Sequence, residues 1–409
     1  MKVLWIMNSP IGIAAERLTG THSQSGTWID ATLRTFTDED YSFAIAAYNT
    51  QRKKVYVNDR LVIYGVGETS KIGRNTEGLY ISDVIDEFKP NIIQIWGTEF
   101  PFGLNVLKIA KAKSIPVLFY IQGVMAAISE YAYGDLGLGR LLCRSGPAGA
   151  LKIAKLFIEH RDYKKQALIE RKMLESSSGY ICDNEWVSAH FFKYNNNCYH
   201  HTTPINEAFL SRKWEYKNSK AKTIMTIGGT NAGKGQHKLL EALCTVKEYY
   251  PDVKVIIPGN MRFGWKENPY VSYLKWFISK NGLNDNVEFC GQLNSEQMAQ
   301  KLFDSDVFVN PSYIENISTS LREAMYMGLP CITSQVGSLH EVIHNGYNGF
   351  SYRFEETQVL AYEILEIFNN RERTERLAEN AYISIREKYP QEDTCESLKL
   401  IYSKVVNGQ

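Results

Sequence analysis

Short apolar runs alternate with longer amphipathic stretches along this chain, and the series runs twice. In the first half, apolar runs at 3–7, 43–47, 92–96, 116–121 and 179–182 are separated by helical patterns such as 79–88 and 104–113. The pattern then restarts, with runs at 223–227, 253–258, 287–290, 307–310 and 330–333 separated by helical stretches at 235–249, 270–281 and 295–303. Strands that alternate with helices of ten to fifteen residues predict parallel sheets wrapped by helices. Two such series predict two doubly wound α/β domains. The polar stretch 211–221 (SRKWEYKNSKA) has no sustained apolar period and marks the seam. After 355 only helical patterns follow (355–369, 371–388 and 392–406). The expected division is 1–205, 206–385 and a terminal helix, 386–409, packing back on the first domain. Ligands of open α/β sheets bind beyond the carboxyl ends of the strands, so a central cleft between two facing domains is the expected site.

Composition narrows the function. The 409 residues carry 46 Lys+Arg against 45 Asp+Glu, a net of +1, which argues against a dedicated nucleic-acid-binding domain. Seven scattered cysteines without a C-x-x-C pair read as reduced thiols of a cytosolic protein. The first apolar run is too short for a signal-peptide core. The longest mostly apolar run, 115–128, falls short of the roughly 18–20 residues that span a bilayer. Membrane contact is therefore expected to be peripheral.

Three strand-to-helix loops carry chemistry. In SQSGTW (23–28), Gly26 lets backbone approach a ligand, and the following helix offers free N–H groups to an anion, although the stretch also fits a simple helix-starting turn. The loop from Gly228 to Gly235, GGTNAGKG, nearly matches the G-x4-G-K-[ST] phosphate-binding pattern, but Gly235 replaces the hydroxyl that would hold Mg²⁺. What remains is a Gly-rich turn with one cation, Lys234, suited to a diphosphate without metal. The third loop, PSYIENISTSLREAMYMGLP (311–330), sets Glu315 before a helix expected to start near Ser318 or Thr319 and Glu323 on its second turn. Carboxylates there can accept hydrogen bonds from polyol hydroxyls while the intervening N–H groups meet phosphate. The same pattern also fits a capped surface helix.

The stretches IGGTNAGKGQHKLLEAL, VEFCGQLNSEQMAQKLFDSDVFVNPS, the Glu-x7-Glu element and EAMYMGLPCITSQVGSLHEVIHNGYNGF run in order from about 223 to 350. Together they resemble the family-4 retaining glycosyltransferases of the GT-B fold (glycosyl transferases group 1), of the bacterial polysaccharide type. The first half resembles that family more loosely, through MNSP, SGTW and PNIIQIWGTEFP. The resemblance implies a nucleotide-sugar donor, UDP- or GDP-linked, held against the second domain without a metal or other cofactor. It implies that Glu323 bonds the ribose, Glu315 the transferred sugar and Lys234 the diphosphate. It implies that Gly228, Asn316, Ile317, Ser318, Thr319 and Ser320 line the donor site, with Gly26 and Thr27 closing over the diphosphate. It further implies that Glu99 and Gln122 fall on the acceptor side and that Glu315, Lys234 and Gln122 form the catalytic set. Two positions depart from the family: Gly229 stands where an Arg is usual, and Gln122 where a His is common.

The expected function is thus sugar transfer to an acceptor hydroxyl in surface polysaccharide or glycolipid assembly. The alternative is a catalytically silent module of the same fold that binds a nucleotide sugar or a protein partner. No residue is assigned to a metal. His340 and His344 match H-E-x-x-H, but Asn345-Gly346 ends the helix such a site needs. Asp304-Ser-Asp306 reads as a helix end turning into a strand, and His200-His201 has no ligand spacing around it. From Arg140 to Lys172, nine basic residues face three acids, with Leu151, Ile153, Phe157 and Ile158 interleaved. That stretch fits either a solvated helix or a surface for anionic membrane and a lipid-linked oligosaccharide acceptor, which would place the protein in the cytoplasm, peripheral on the inner face of the membrane.

Overall fold

The computed structural model describes the chain except residues 21–26, 37–39, 68–75, 138–139, 142–148, 230, 260–267, 317, 392–393 and 409, and without the side chains of 27, 76–79 and 149–155. The chain divides into two compact units. The first contains Met1–Ala126, Tyr163–Pro204 and Pro390–Gln409; the second contains Ala127–Asp162 and Ile205–Tyr389.

The sheet of the first unit contains β1 (Lys2–Met7), β2 (Ser42–Tyr48), β3 (Thr50–Asn58), β4 (Leu61–Gly67), β5 (Ile92–Trp96), β6 (Val117–Tyr120), β7 (Gly179–Cys182) and β8 (Cys198–His200). Their spatial order is β3-β4-β2-β1-β5-β6-β7-β8. The central strands read as unbroken apolar runs because helices cover both faces of a parallel sheet; all five residues of β5 are buried. Among the described residues only β3 runs antiparallel, as a hairpin with β4. The apolar pattern does not announce it, because β3 is an edge strand of mixed polarity with Arg52, Lys53 and Lys54 along it, a composition that discourages further strand pairing. The helix Thr394–Val406 is fastened into this unit. Trp5 Nε1 donates to Tyr402 Oη at 2.9 Å, and Tyr402 Oη donates to Gln94 at 2.7 Å, all buried. Leu398 and Ile401 pack in the same core as Trp5 and Trp96.

The second unit holds β9 (Thr223–Thr226), β10 (Lys254–Pro258), β11 (Val287–Gly291), β12 (Val307–Asn310), β13 (Cys331–Ser334) and β14 (Phe350–Tyr352). All are parallel, in the order β11-β10-β9-β12-β13-β14. This is the doubly wound order whose direction reverses between β9 and β12, and that reversal opens a crevice at the carboxyl ends of those two strands.

One feature differs from a contiguous first domain of residues 1–205: the stretch Ala127–Asp162 groups with the second unit. Leu136 and Leu141 are buried in the core formed by Leu239, Leu240, Leu243 and Val246 of the helix Gln236–Tyr249. The last segment of the first unit begins at Pro390 rather than 386, because the helix Arg371–Lys388 packs in the second unit. Among the described residues, no helix is long and apolar enough to cross a membrane.

Candidate active site

The crevice between β9 and β12 is lined by the two loops that follow those strands. The first, residues 227–235, is drawn tight by small residues. A Cβ on Gly228 would lie 2.6 Å from the Pro258 carbonyl oxygen, and one on Gly235, whose φ is +67°, only 1.9 Å from that of Pro311. Gln236 holds the turn from behind, its Nε2 donating to the carbonyls of Ile227 (3.3 Å) and Gly229 (3.2 Å). Asn231 caps the short turn Ala232–Lys234. The Tyr313 N–H donates to the Gly233 carbonyl at 2.8 Å, joining this loop to the second. Gly229 lies at φ +135°, where a Cβ would press on Lys234 Cγ at 3.2 Å. Glycine supplies that backbone angle and leaves the Lys234 stem uncrowded.

The second loop, residues 311–318, leads into the helix Thr319–Tyr326. Ser318 is its cap: the hydroxyl accepts from Leu321 N–H at 3.2 Å and from Asn310 Nδ2 at 2.9 Å. Glu315 sits in the loop, buried to 8% exposure. Its carboxylate accepts from Ser312 Oγ at 2.8 Å and from Lys234 Nζ at 2.9 and 3.2 Å. Gly337 permits this arrangement. At φ +53°, a Cβ there would stand 1.8 Å from the Glu315 carbonyl oxygen, which instead accepts the Ser338 N–H. The Ser338 hydroxyl donates to the Asn316 carbonyl. Glu323, on the second turn, is 9% exposed. Burial pushes its carboxyl up to about 8, and neighbouring Arg322 only partly offsets this. Arg322 is itself buried, its guanidinium over the Tyr389 ring at 4.9 Å.

The structure thus brings Gly228, Lys234, Glu315, Asn316, Ser318, Thr319, Ser320 and Glu323 together at one end of one sheet. Ile317 and Gly26 lie outside the described residues, and of Thr27 only the backbone is described, as the first residue of the helix Thr27–Thr35. Chemically, the crevice offers a half-exposed ammonium, two buried carboxyl groups and a capped helix start. Polyol hydroxyls can donate to the carboxyls, and an anion can meet the ammonium and the helix N–H groups.

Behind the first loop lies a polar network that sequence reasoning does not find. His237 is fully buried; its Nε2 meets Asp135 Oδ1 at 2.9 Å and Tyr313 Oη at 3.2 Å, and its Nδ1 meets Tyr270 Oη at 3.0 Å. Lys238 Nζ adds an ion pair to Asp135 at 2.6 Å. Burial pushes the Asp135 carboxyl up, but hydrogen bonds from His237, Lys238 and Tyr313 outweigh it and hold the group well below the usual carboxylate range. No local pattern marks Asp135, which lies 102 residues from His237 along the chain.

In the first unit, Glu99 and Gln122 follow β5 and β6. Gln122 is exposed. The Glu99 carboxyl folds back over Gly97, whose φ is +92°, and burial pushes it up to about 7. Glu170, a second carboxyl absent from the sequence-based set, accepts from Thr98 Oγ1 and from the Met125 N–H at 3.1 Å. Burial, with Glu99 nearby, raises it to about 8.

The two look-alike motifs have structural roles. His340 is exposed in a single 3₁₀ turn, Gly337–Glu341, with its Nδ1 at 2.8 Å from the Gly337 carbonyl, so no long helix presents two histidines. Asp306 pairs with Lys222 at 3.2 Å, both buried, and accepts the Thr223 N–H at 2.8 Å, tying the start of β12 to that of β9.

Comparison with known proteins identifies the fold. The structure of sucrose-phosphate synthase from Thermosynechococcus elongatus superposes with a TM-score of 0.75 at 12% identity, covering 100% of both chains. That of Anabaena HepE in complex with UDP-glucose superposes at 0.70 and 15% identity, covering 99% of this chain and 100% of the other. The fold is GT-B. Residues 209–384 match the model of the glycosyl transferases group 1 family. Spore coat protein SA of Bacillus subtilis is 32% identical over 186 residues, 45% of this chain and 49% of that protein, so the match spans about half of its length. An uncharacterized glycosyltransferase of Methanocaldococcus jannaschii is 24% identical over 322 residues, 74% of this chain and 87% of the relative.

Proposed function

We propose that this protein is a retaining, metal-independent glycosyltransferase that moves a sugar from a UDP- or GDP-sugar to an acceptor hydroxyl, in surface polysaccharide or glycolipid assembly on the cytoplasmic side of a membrane. The observation that carries the reading is the pairing of Lys234 with buried Glu315 at the start of the helix that bears Glu323. Glu323 holds the ribose hydroxyls and Glu315 those of the transferred sugar. An ammonium has three donors, so Lys234 keeps its bond to Glu315 while it binds the departing diphosphate. The acceptor hydroxyl attacks from the face the diphosphate leaves. Its proton passes to the leaving phosphate oxygen, and Lys234 and the helix N–H groups hold the growing negative charge. Glu99 and Gln122 serve the acceptor, and Gly26 and Thr27 the diphosphate. HepE in complex with UDP-glucose supports the choice of donor class.

The test is a thermal-shift screen of nucleotide sugars followed by an assay of donor hydrolysis. A donor at 100 times its Kd stabilises the protein by about 2.7 kcal/mol. Binding with turnover supports the transferase. Binding with no turnover of any donor supports instead a silent binding module, the reading favoured by Gly229 and Gln122 in place of two cationic residues.

A further inference from the structure

At the far edge of the first unit's sheet, β7 and β8 place three metal-ligating side chains on one face. The parallel register pairs Tyr180 with Cys198 and Cys182 with His200. Alternate residues of a strand share a face, so Cys182, Cys198 and His200 project to the same side. The Cys182 and Cys198 sulfurs are 3.1 Å apart, and the Cys182 sulfur is 3.9 Å from His200 Nδ1. All three ligating atoms lie within 4.8 Å of one another. Cys182 is fully buried, Cys198 half-buried and His200 exposed, so the cluster runs from the core to solvent.

We propose that Cys182, Cys198 and His200 bind a soft d¹⁰ cation of the Zn²⁺ type, with solvent as the fourth ligand. Tetrahedral zinc, with Zn–S of about 2.3 Å and Zn–N of about 2.0–2.1 Å, sets sulfurs about 3.8 Å apart and sulfur about 3.6 Å from nitrogen. The thiols must spread by about 0.7 Å, and the imidazole must close by about 0.3 Å on the Cys182 sulfur and by at most about 1.2 Å on that of Cys198, side-chain rotations for that geometry. Two thiolates and an imidazole select a thiophilic cation over Mg²⁺ or Ca²⁺, which take oxygen ligands. On binding, each cysteine enters as a thiolate and its proton leaves to solvent.

A disulfide fits the same residues less well. Cys182 and Cys198 are offset by two residues on adjacent strands, so strand spacing sets their Cα atoms about 7–8 Å apart, at or beyond a disulfide's reach. A metal spans that offset. It would also fasten β8, a three-residue edge strand with a neighbour on one side only. The histidine pair His200-His201 shows no ligand spacing in the sequence because its partner, Cys182, lies on the neighbouring strand, 18 residues from His200. His201 belongs elsewhere: its Nδ1 meets Ser397 Oγ at 2.7 Å.

The experiment uses the full chain, stripped of metal under reducing conditions. Zn²⁺ is titrated against a chromophoric chelator, and Co²⁺ is added separately as a spectroscopic probe. One equivalent of Zn²⁺ is expected to bind. Co²⁺ should give thiolate-to-metal charge transfer with the intense d–d bands of tetrahedral coordination. Cys198→Ser and His200→Gln should each weaken Zn²⁺ binding by more than the roughly 10–100-fold that loss of a supporting group costs, while Cys290→Ser leaves it unchanged. His200 is exposed, so its variant tests ligation without disturbing the core. Absence of the charge-transfer band, or its survival in Cys198→Ser, overturns the proposal. So does an intramolecular Cys182–Cys198 disulfide formed with oxidised glutathione that bound Zn²⁺ does not prevent.

Discussion

If Glu323 receives the ribose hydroxyls as a carboxylate, nucleotide binding should be linked to its ionisation. Burial holds this carboxyl near 8 in the free protein. At pH 7 about one molecule in ten then carries the charge, and selecting that form costs about 1.4 kcal/mol. Affinity for UDP or GDP should therefore rise roughly tenfold between pH 7 and 9 and level off above the carboxyl's own pKa. This range lies above the phosphate ionisation near pH 6. Isothermal titration in buffers of different ionisation enthalpy should show nearly one proton released per nucleotide bound at pH 7. Glu323→Gln should flatten the pH profile. Glu323→Ala should weaken free nucleotide by about 1.5–3 kcal/mol, the worth of a hydrogen bond to a charged group. Glu315→Ala should leave free nucleotide nearly unchanged and weaken the nucleotide sugar or its turnover. The linkage acts on the free protein too. A folded-state pKa raised above the unfolded value gives stability that is full below about 4.3 and lost as pH rises towards 8, so the Tm should fall across that window and fall less in Glu323→Gln. A flat wild-type affinity profile without proton release would refute the reasoning, as would equal losses of free-nucleotide affinity in the two alanine variants.

Further outcomes follow from the same geometry. Lys234→Ala should cut kcat by about 10²–10³, the scale of losing one preorganised electrostatic group; a loss of tenfold or less in a folded protein would assign the leaving-group charge to another cation. Gly337→Ala should destabilise the protein by at least about 2 kcal/mol in urea denaturation, because it combines a left-handed φ with a clash against the Glu315 backbone. Donor turnover should survive excess EDTA, even where EDTA strips a cation from Cys182, Cys198 and His200; loss of turnover restored by Mn²⁺ would end the metal-independent reading. In the helix Gly149–Ser176, Phe157, Ile158 and Leu168 are exposed beside Arg161, Lys164 and Lys165. Anionic liposomes should therefore bind the protein at low salt and release it by about 0.5 M, where the Debye length has shrunk to a few ångströms. Replacing Lys152, Lys155, Lys164 and Lys165 with Gln should abolish that binding and spare donor binding.

Much of the architecture was written in local pattern. Buried parallel strands are continuous apolar runs, and each of the ten expected runs overlaps a strand of the structure. The Glu-x7-Glu spacing and a helix start near Ser318 or Thr319 were equally legible, because a helix start is a property of a few consecutive residues. The hairpin β3–β4 was not, since a charged edge strand carries no apolar period. Nor was the raised carboxyl of Glu170, which depends on burial by elements distant in sequence.

The sequence by itself determined the buried parallel strands, most of the helices between them and the positions of the two loops that follow β9 and β12. Tertiary structure alone decided which side chains meet. Lys234 reaches Glu315 across 81 residues because β9 and β12 are neighbours, and that adjacency is set by strand order. Asp135 meets His237, and residues 127–162 join the second unit, because Leu136 and Leu141 are buried in its core. Cys182, Cys198 and His200 converge only through the β7–β8 register. Periodicity is enforced residue by residue along the chain, whereas adjacency follows from how whole elements bury their apolar faces against one another.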